Sequence, residues 1–132
     1  MSYYFSTKVK GTFENILEKT ILSLKEESFG VLTEIDVKAT LKKKLDVDFR
    51  KYKILGACNP PFAYKALQAE DKIGTMLPCN VIIQELDSGE IEVAAVDPLA
   101  SMKAVKNHDL EGVAVQVQQK LKRVIQNIKK NN

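Results

Sequence analysis

The dipeptide Cys-Asn occurs twice in this sequence, and its thiol could act as a nucleophile or as a ligand. Cys58-Asn59 stands directly before two prolines, and Cys79-Asn80 follows a Leu-Pro pair. A thiol beside the start of a helix feels the positive end of the helix dipole, which favours the thiolate form. Cys58 is therefore the better candidate for a reactive or ligating thiol, because a helix is predicted to begin just after it.

Local structure also explains much of the same stretch. Asn59 is a good helix N-cap, and Pro60 suits the first helical position, where its missing N–H costs nothing. The backbone N–H groups of Phe62 and Ala63 would then be free to hold an anion. On the structural interpretation, Cys58 fills a small space and the neighbouring residues only begin a helix.

A metal site or a redox pair would need residues that lie far apart in the sequence. Cys58, Cys79 and His108 have the soft ligand atoms that suit zinc or copper(I). The sequence contains no Cys-x-x-Cys clip and no His-x-x-x-His pair. A dithiol would require the two cysteines to meet in space. Both hypotheses are weaker than that of a binding site around Cys58.

Acid–base chemistry has one candidate pair, Glu34 and Asp36, which alternate onto one face of a predicted strand. A carboxylate on a concave sheet could act as a base. The alternative is a solvated sheet edge that uses charge to prevent aggregation. His108 lies in a polar stretch typical of a surface. No arrangement of nucleophile, histidine and acid is recognisable, so the sequence favours a non-catalytic protein and identifies no cofactor.

Composition sets the class of protein and disfavours one class of partner. The chain has 132 residues, 45% of them hydrophobic and 28% charged, with a formal charge of +3. This indicates a single domain over 1–132 that can bury a core. Segment 37–53 holds seven Lys or Arg against two Asp, a net of +5. An isoelectric point near 8.8 is nevertheless modest for a nucleic-acid binder, so nucleic acid is not the expected partner.

Location follows from the apolar runs and from the cysteines. No run approaches the roughly 20 apolar residues that a membrane span needs. The first residues enter a strand pattern directly and lack the charged start and apolar stretch of a secretory signal. Two cysteines in a chain with a real core are expected to be reduced. We therefore expect a cytoplasmic protein with no membrane partner.

The spacing of apolar residues predicts five strands and five helices. Strands are predicted over 3–9, 31–37, 52–58, 79–86 and 90–96, and helices over 13–27, 37–45, 60–70, 99–103 and from 107 or 109 to about 128. The second strand is expected to place Val31, Thr33, Ile35 and Val37 on one face. The two long amphipathic helices must each cover part of a largely antiparallel sheet, which gives an α+β two-layer sandwich.

Several fragments together resemble a known family. They are FGVLTEID at 29–36, ILGACNPP at 54–61 with YKAL at 64–67, LPCNV at 77–81 and AVDP at 95–98. In combination they resemble the small bacterial and archaeal proteins grouped as "domain of unknown function 302", over about 3–128. The resemblance implies a TATA-binding-protein-like β-α-β4-α fold and a homodimer, with no established activity. The fold name does not imply DNA binding, because function belongs to sites rather than folds.

These observations lead to one functional prediction and two alternatives. The prediction is a non-catalytic homodimer that binds a small ligand, an anion or a metal ion. Its site lies near Cys58, Asn59, Cys79 and Asn80, with Glu34 as a further member. The first alternative is a thiol-based enzyme or redox protein that uses Cys58. The second is a structural or regulatory dimer whose surface is its function.

Overall fold

The computed structural model describes residues 2–131, with five strands and five α-helices. In chain order they are β1 (Tyr4–Val9), α1 (Phe13–Glu26), β2 (Gly30–Asp36), α2 (Val37–Leu45), β3 (Tyr52–Cys58), α3 (Pro60–Ala69), β4 (Cys79–Glu85), β5 (Ile91–Val96), α4 (Pro98–Ser101) and α5 (His108–Lys130). A 3₁₀ helix, Asp71–Met76, joins α3 to β4. The predicted elements are present and keep their order.

All five strands form one antiparallel sheet in the order β1-β5-β4-β3-β2. The predicted β4–β5 hairpin is confirmed, with Val81 opposite Ala95 and Ile83 opposite Val93. β4 is the central strand, so two strands lie on each side of it. Apart from the three short helices α2, α3 and α4, the elements follow the β-α-β4-α order that the resemblance implies.

The core lies between one face of the sheet and the helices α1 and α5. These helices present their apolar stripes to the alternate residues of β1, β5, β4 and β3 that point toward them. The largest fully buried side chains are Ile16, Leu24, Leu55, Ile73, Ile83, Ile91, Leu121, Ile128, Val81, Val93, Val124 and Thr20. The predicted two-layer α+β sandwich is therefore confirmed.

The opposite face of the sheet, here called the open face, carries the residues that alternate with the core positions. The strand register places on it Tyr4, Ser6, Lys8, Glu92, Ala94, Val96, Asn80, Ile82, Gln84, Tyr52, Ile54, Gly56, Thr33 and Ile35. A shallow concavity of about 410 Å³ lies on this face. Its lining consists of strand residues and Tyr3, and no helix contributes to it.

The expectation that Val31, Thr33, Ile35 and Val37 share a face holds for Thr33 and Ile35 but is wrong for Val31, and Val37 begins α2 instead of ending the strand. The pairing of β2 with β3 shifts between Val31 and Thr33, so that Leu32 is an extra residue in the strand. Val31 pairs with Ala57 on the core side, whereas Ile35 follows the shift and lies on the open face. A bulge of one residue reverses the face of every side chain beyond it.

The ends of the helices follow the predicted signals with small differences. Asn107 caps α5 by accepting a hydrogen bond from the Asp109 N–H at 3.0 Å, and α5 extends to Lys130. α2 begins and ends where predicted but buries none of its residues. A second small core of Ala66, Ile73 and Leu110 fixes α3 and the 3₁₀ helix against α5. No helix described between residues 2 and 131 is long and apolar enough to cross a membrane.

Candidate functional site

An apolar cavity lies where α3, α4 and α5 meet the adjoining ends of β3 and β4. We call it the α3 cavity, and its volume is about 270 Å³. It is lined by Phe29, Leu32, Ala57, Cys58, Asn59, Phe62, Ala63, Ala66, Leu67, Leu77, Pro78, Cys79, Pro98, Met102, Val113, Ala114 and Val117. Small molecules bind preferentially in concave, mostly apolar pockets of this kind, so the α3 cavity is the candidate site.

Three of the five predicted site residues line this cavity: Cys58, Asn59 and Cys79. They meet because β3 ends and β4 begins at the same end of the sheet. Cys79 pairs with Ala57, so the two cysteines are offset by one position in the ladder and do not face each other directly. Both are free thiols.

Asn59 occupies the N-cap position of α3 but does not cap the helix with its side chain. Its Nδ2 instead donates a hydrogen bond to the carbonyl oxygen of Glu27, at 3.3 Å. The residue is buried, and the bond ties the start of α3 to the end of α1. The predicted capping role is therefore wrong, and Asn59 acts as a polar tie at the rim of the cavity.

The predicted anion site at the start of α3 loses one of its two donors. The Ala63 N–H is not free, because it donates to the carbonyl oxygen of Asn59 at 2.9 Å. Pro60 and Pro61 have no N–H to offer. Phe62 alone keeps the predicted donor role, so this helix start is a poor anion cradle.

The thiol of Cys79 is held in its neutral form. Burial, which penalises the thiolate, is the main cause that raises its pKa to about 11, and the nearby charge of Cys58 contributes to the same rise. Because the thiolate is the nucleophile and the metal ligand, a thiol with this pKa is inert near neutral pH. Cys79 therefore contributes packing to the cavity wall.

Alkylation is expected to distinguish the two thiols. At about pH 8, a thiol with a pKa of about 11 is thiolate in roughly one molecule in a thousand. Iodoacetamide should therefore modify the half-buried Cys58 and leave Cys79 unmodified in the folded protein, as mass spectrometry of the peptides would show. In urea both cysteines should react. Equal rates in the folded protein would contradict the burial of Cys79.

Asn80 and Glu34 do not line the cavity. Asn80 pairs with Gly56 and lies on the open face, so the second Cys-Asn element points its two side chains to opposite sides of the sheet. The carboxylate of Glu34 is held by the Lys53 ammonium at 2.7 Å. Asp36, its predicted acid–base partner, accepts from the Ala39 N–H and caps α2. Both carboxylates thus have structural partners.

The arrangement of the described residues does not support the metal hypothesis. Within residues 2–131, no three side chains of His, Cys, Asp or Glu come together in a way that could hold a metal ion. The His108 side chain is 99% exposed at the start of α5, where its ring lies 3.9 Å from the Glu111 carboxylate. His108 does not line the α3 cavity with the two cysteines.

Most of the residues that line the cavity could not be identified from the sequence. Residues such as Phe29, Val113 and Val117 read as ordinary core positions, because a pattern shows which face is apolar and not whether the face is filled. One signal was available: small alanines, Ala63 and Ala66, recur on the side of α3 predicted to be buried. Small side chains at facing positions leave space unless larger partners fill it.

Comparison with known proteins gives one family and one fold. The family model described as "Domain of unknown function DUF302" matches residues 5–128. A solved structure of an uncharacterized conserved protein DUF302 from Bacillus stearothermophilus aligns over 97% of this chain and 99% of that chain, with a TM-score of 0.90 and 24% identity. None of the curated proteins compared with the sequence matches it significantly.

Proposed function

Because this chain belongs to the DUF302 family, which has no assigned activity, we propose a function from the α3 cavity. The protein is a non-catalytic cytosolic homodimer that binds a small apolar molecule. The observation that carries the proposal is the cavity itself, about 270 Å³ of space with an apolar wall. Of the ligands that the sequence left open, a small organic molecule fits better than an anion or a metal ion.

The size of the cavity limits the ligand. An engineered apolar cavity of about 150 Å³ in another protein stays dry and takes up benzene. The α3 cavity is nearly twice as large. It therefore suits an uncharged molecule somewhat larger than benzene, on the order of ten non-hydrogen atoms, whose burial would be driven by the hydrophobic effect.

The lining favours binding over catalysis. None of the described residues that line the cavity is Asp, Glu, His, Lys or Arg. General acid–base catalysis needs a titratable group within hydrogen-bond reach of the substrate. Of the two thiols, Cys79 is neutral because of its raised pKa. A thiol-based enzyme would thus depend on Cys58 alone, with no base beside it in the lining.

Two exposed leucines mark the entrance to the cavity. Leu32 and Leu67 line it and are also exposed, with 67% and 44% of their surfaces accessible, so they stand at its opening to solvent. Leu32 is the bulge residue of β2, and the bulge directs it toward this opening. Exposed leucines at the edge of an apolar pocket are typical of a site that admits an apolar ligand.

The cytosolic and dimeric parts of the proposal have separate support. Two free cysteines suit a reducing compartment. The open face leaves apolar side chains uncovered, among them Ile35 with 47% of its surface exposed. An apolar sheet face of this kind also supports the structural or regulatory dimer as a second candidate function.

A thermal-shift comparison tests the ligand class. Indole and benzene, each titrated to saturation, should raise the melting temperature, because a ligand at about 100 times its Kd stabilises the folded state by about 2.7 kcal/mol. Zinc and inorganic phosphate should not. The Cys58→Ser variant should respond as the natural protein does, since the proposal assigns no chemistry to that thiol. A shift with zinc or phosphate and none with either apolar probe would overturn it.

A further inference from the structure

The sequences of β4 and β5 indicate that another surface covers the open face. Antiparallel sheets with one solvated face alternate cleanly between apolar and polar residues. Here β4 contains Val81-Ile82-Ile83 and β5 contains Val93-Ala94-Ala95-Val96, both continuous apolar runs. Strands buried on both faces have such sequences.

Cross-strand pairing arranges the open face into rows. The middle row consists of Ile35, Ile54, Ile82, Ala94 and Ser6, from β2 across the sheet to β1. The row has large side chains on one half and small ones on the other, and Ile82 stands at its centre. The neighbouring row, here called the charged row, lies toward the β4–β5 turn and consists of Tyr52, Gln84, Glu92 and Lys8.

We propose that the open face is covered by a second copy of this chain, related by a two-fold axis that runs along β4. This inference rests on the proposed homodimer and names the surface that forms it. β4 is the central strand, so the axis places β3 of one copy over β5 of its partner and β2 over β1. Packed sheets cross at an angle of about 30°, which leaves these rows in approximate register.

The middle row is sterically complementary to itself under this axis. Ile54 faces Ala94 of the partner, and Ile35 faces Ser6 of the partner, so each large side chain meets a small one. Ile82 meets its own copy at the centre. Alternating large and small residues across an interface is how two layers interdigitate. An axis across the strands would instead place Ala94 on Ala94 and Ile54 on Ile54.

The charged row is complementary as well. Arg50 Nε donates to Gln84 Oε1 at 2.8 Å, and Gln84 Nε2 donates to Glu92 Oε1 at 2.8 Å. The guanidinium thus lies on the β3 side of Gln84 and the carboxylate on the β5 side. The same axis brings Arg50 of one copy toward Glu92 of its partner, which pairs opposite charges at the rim.

The size and composition of the face fit a dimer. Five strands about 4.8 Å apart and six residues long cover about 500 Å² per copy, or about 1,000 Å² for the pair, which reaches the lower limit of a specific interface. The centre is apolar, and tyrosines flank it at Tyr4 and Tyr52. The charged row holds one carboxylate, that of Glu92, among cations. A phosphate backbone or an anionic membrane requires a surface potential of one sign, so neither suits this face.

Ile82→Lys tests the interface at its centre. The substitution places two ammonium groups against each other on the axis, so the dimer should dissociate, with its Kd raised at least about 30-fold. Sedimentation velocity should give the protomer mass of 14.8 kDa for this variant and twice that mass for the natural protein. Leu22→Lys, on the exposed side of α1, is the matched control and should remain dimeric.

A size exchange within the middle row tests the direction of the axis without adding charge. Ala94→Ile alone should weaken the dimer, because it sets two isoleucines against each other. Adding Ile54→Ala to the same chain should restore the dimer, since the large and small positions are then exchanged in both copies. Failure of the double variant to recover would overturn the axis along β4.

The outcomes separate this inference from the proposal on which it rests. If the natural protein is a dimer and neither Ile82→Lys nor Ala94→Ile weakens it, the open face is not the interface, and only this inference fails. If the natural protein is a monomer, the homodimer fails as well. A monomer whose open face binds duplex DNA or vesicles of anionic lipid would overturn the second copy as its occupant. None of these outcomes bears on indole binding in the α3 cavity.

Discussion

The Ala63→Phe variant is expected to lose binding of indole and benzene while keeping the fold. Ala63 lies in α3, is half-buried and lines the α3 cavity. A phenyl ring at this position would occupy the space that the ligand needs. Because no protein atom fills this space, the ring should not overpack the core. The ring should also gain contacts with the wall of the cavity.

The measurement is a titration of indole by calorimetry beside thermal unfolding of each variant. Affinity for indole should fall at least about 30-fold in Ala63→Phe, which corresponds to about 2 kcal/mol. The melting temperature should stay the same or rise. Gln68→Phe is the matched control, because Gln68 is exposed on the same helix and does not line the cavity. Undiminished binding in Ala63→Phe would show that the ligand lies elsewhere.

The Leu121→Ala variant is expected to lose about 2–5 kcal/mol of unfolding free energy, because it removes three buried carbons and leaves a cavity. Leu121 has 0% of its surface exposed at the centre of α5, among residues from the sheet and α1. Relaxation around it is limited, since both layers are rigid elements.

Leu22→Ala is the matched control for this change. Leu22 lies on α1 with 59% of its surface exposed, so the same truncation should cost no more than about 0.5 kcal/mol. Urea unfolding followed by circular dichroism, at one fixed protein concentration, would give both values. Similar losses in the two variants would contradict the packing of α5 against the sheet.

The helices and the hairpin could be predicted because their signals are local. The stripe from Leu110 to Ile128 has one period and one apolar face, and α5 buries that face. The turn at Asp87-Ser88-Gly89 stands between two β-rich runs, and Gly89 adopts the left-handed backbone with φ of 88° that such a turn favours. Each of these signals can be read within a few residues.

The bulge in β2 could not be predicted in the same way. Nothing in the order of Val31, Leu32 and Thr33 states which residue is left unpaired, because this depends on the register with β3. The consequence is large, since the bulge moves Ile35 to the open face and Leu32 to the cavity entrance. Register is fixed by tertiary packing and is hard to read from one strand alone.

The candidate site was predicted in part. Cys58, Asn59 and Cys79 were grouped because Cys-Asn recurs in the sequence, which leaves open whether the two cysteines meet. In the structure they line one cavity, because β3 ends and β4 begins at the same end of the sheet. Asn80 was misplaced relative to them, although side chains that follow one another along a strand must point to opposite faces. The apolar character of the cavity was not foreseen, because it comes from helices α4 and α5, which are distant in sequence from both Cys-Asn elements.

The most direct test of ligand binding in the α3 cavity is NMR of the alanine methyl groups during an indole titration. Ala63, Ala66 and Ala114 line the cavity, whereas Ala94 lies on the open face. We predict saturable shifts of the methyl groups of Ala63, Ala66 and Ala114, caused by the ring current of a bound indole, and an unchanged Ala94. Shifts confined to Ala94, or none at any methyl, would contradict a ligand site in the α3 cavity.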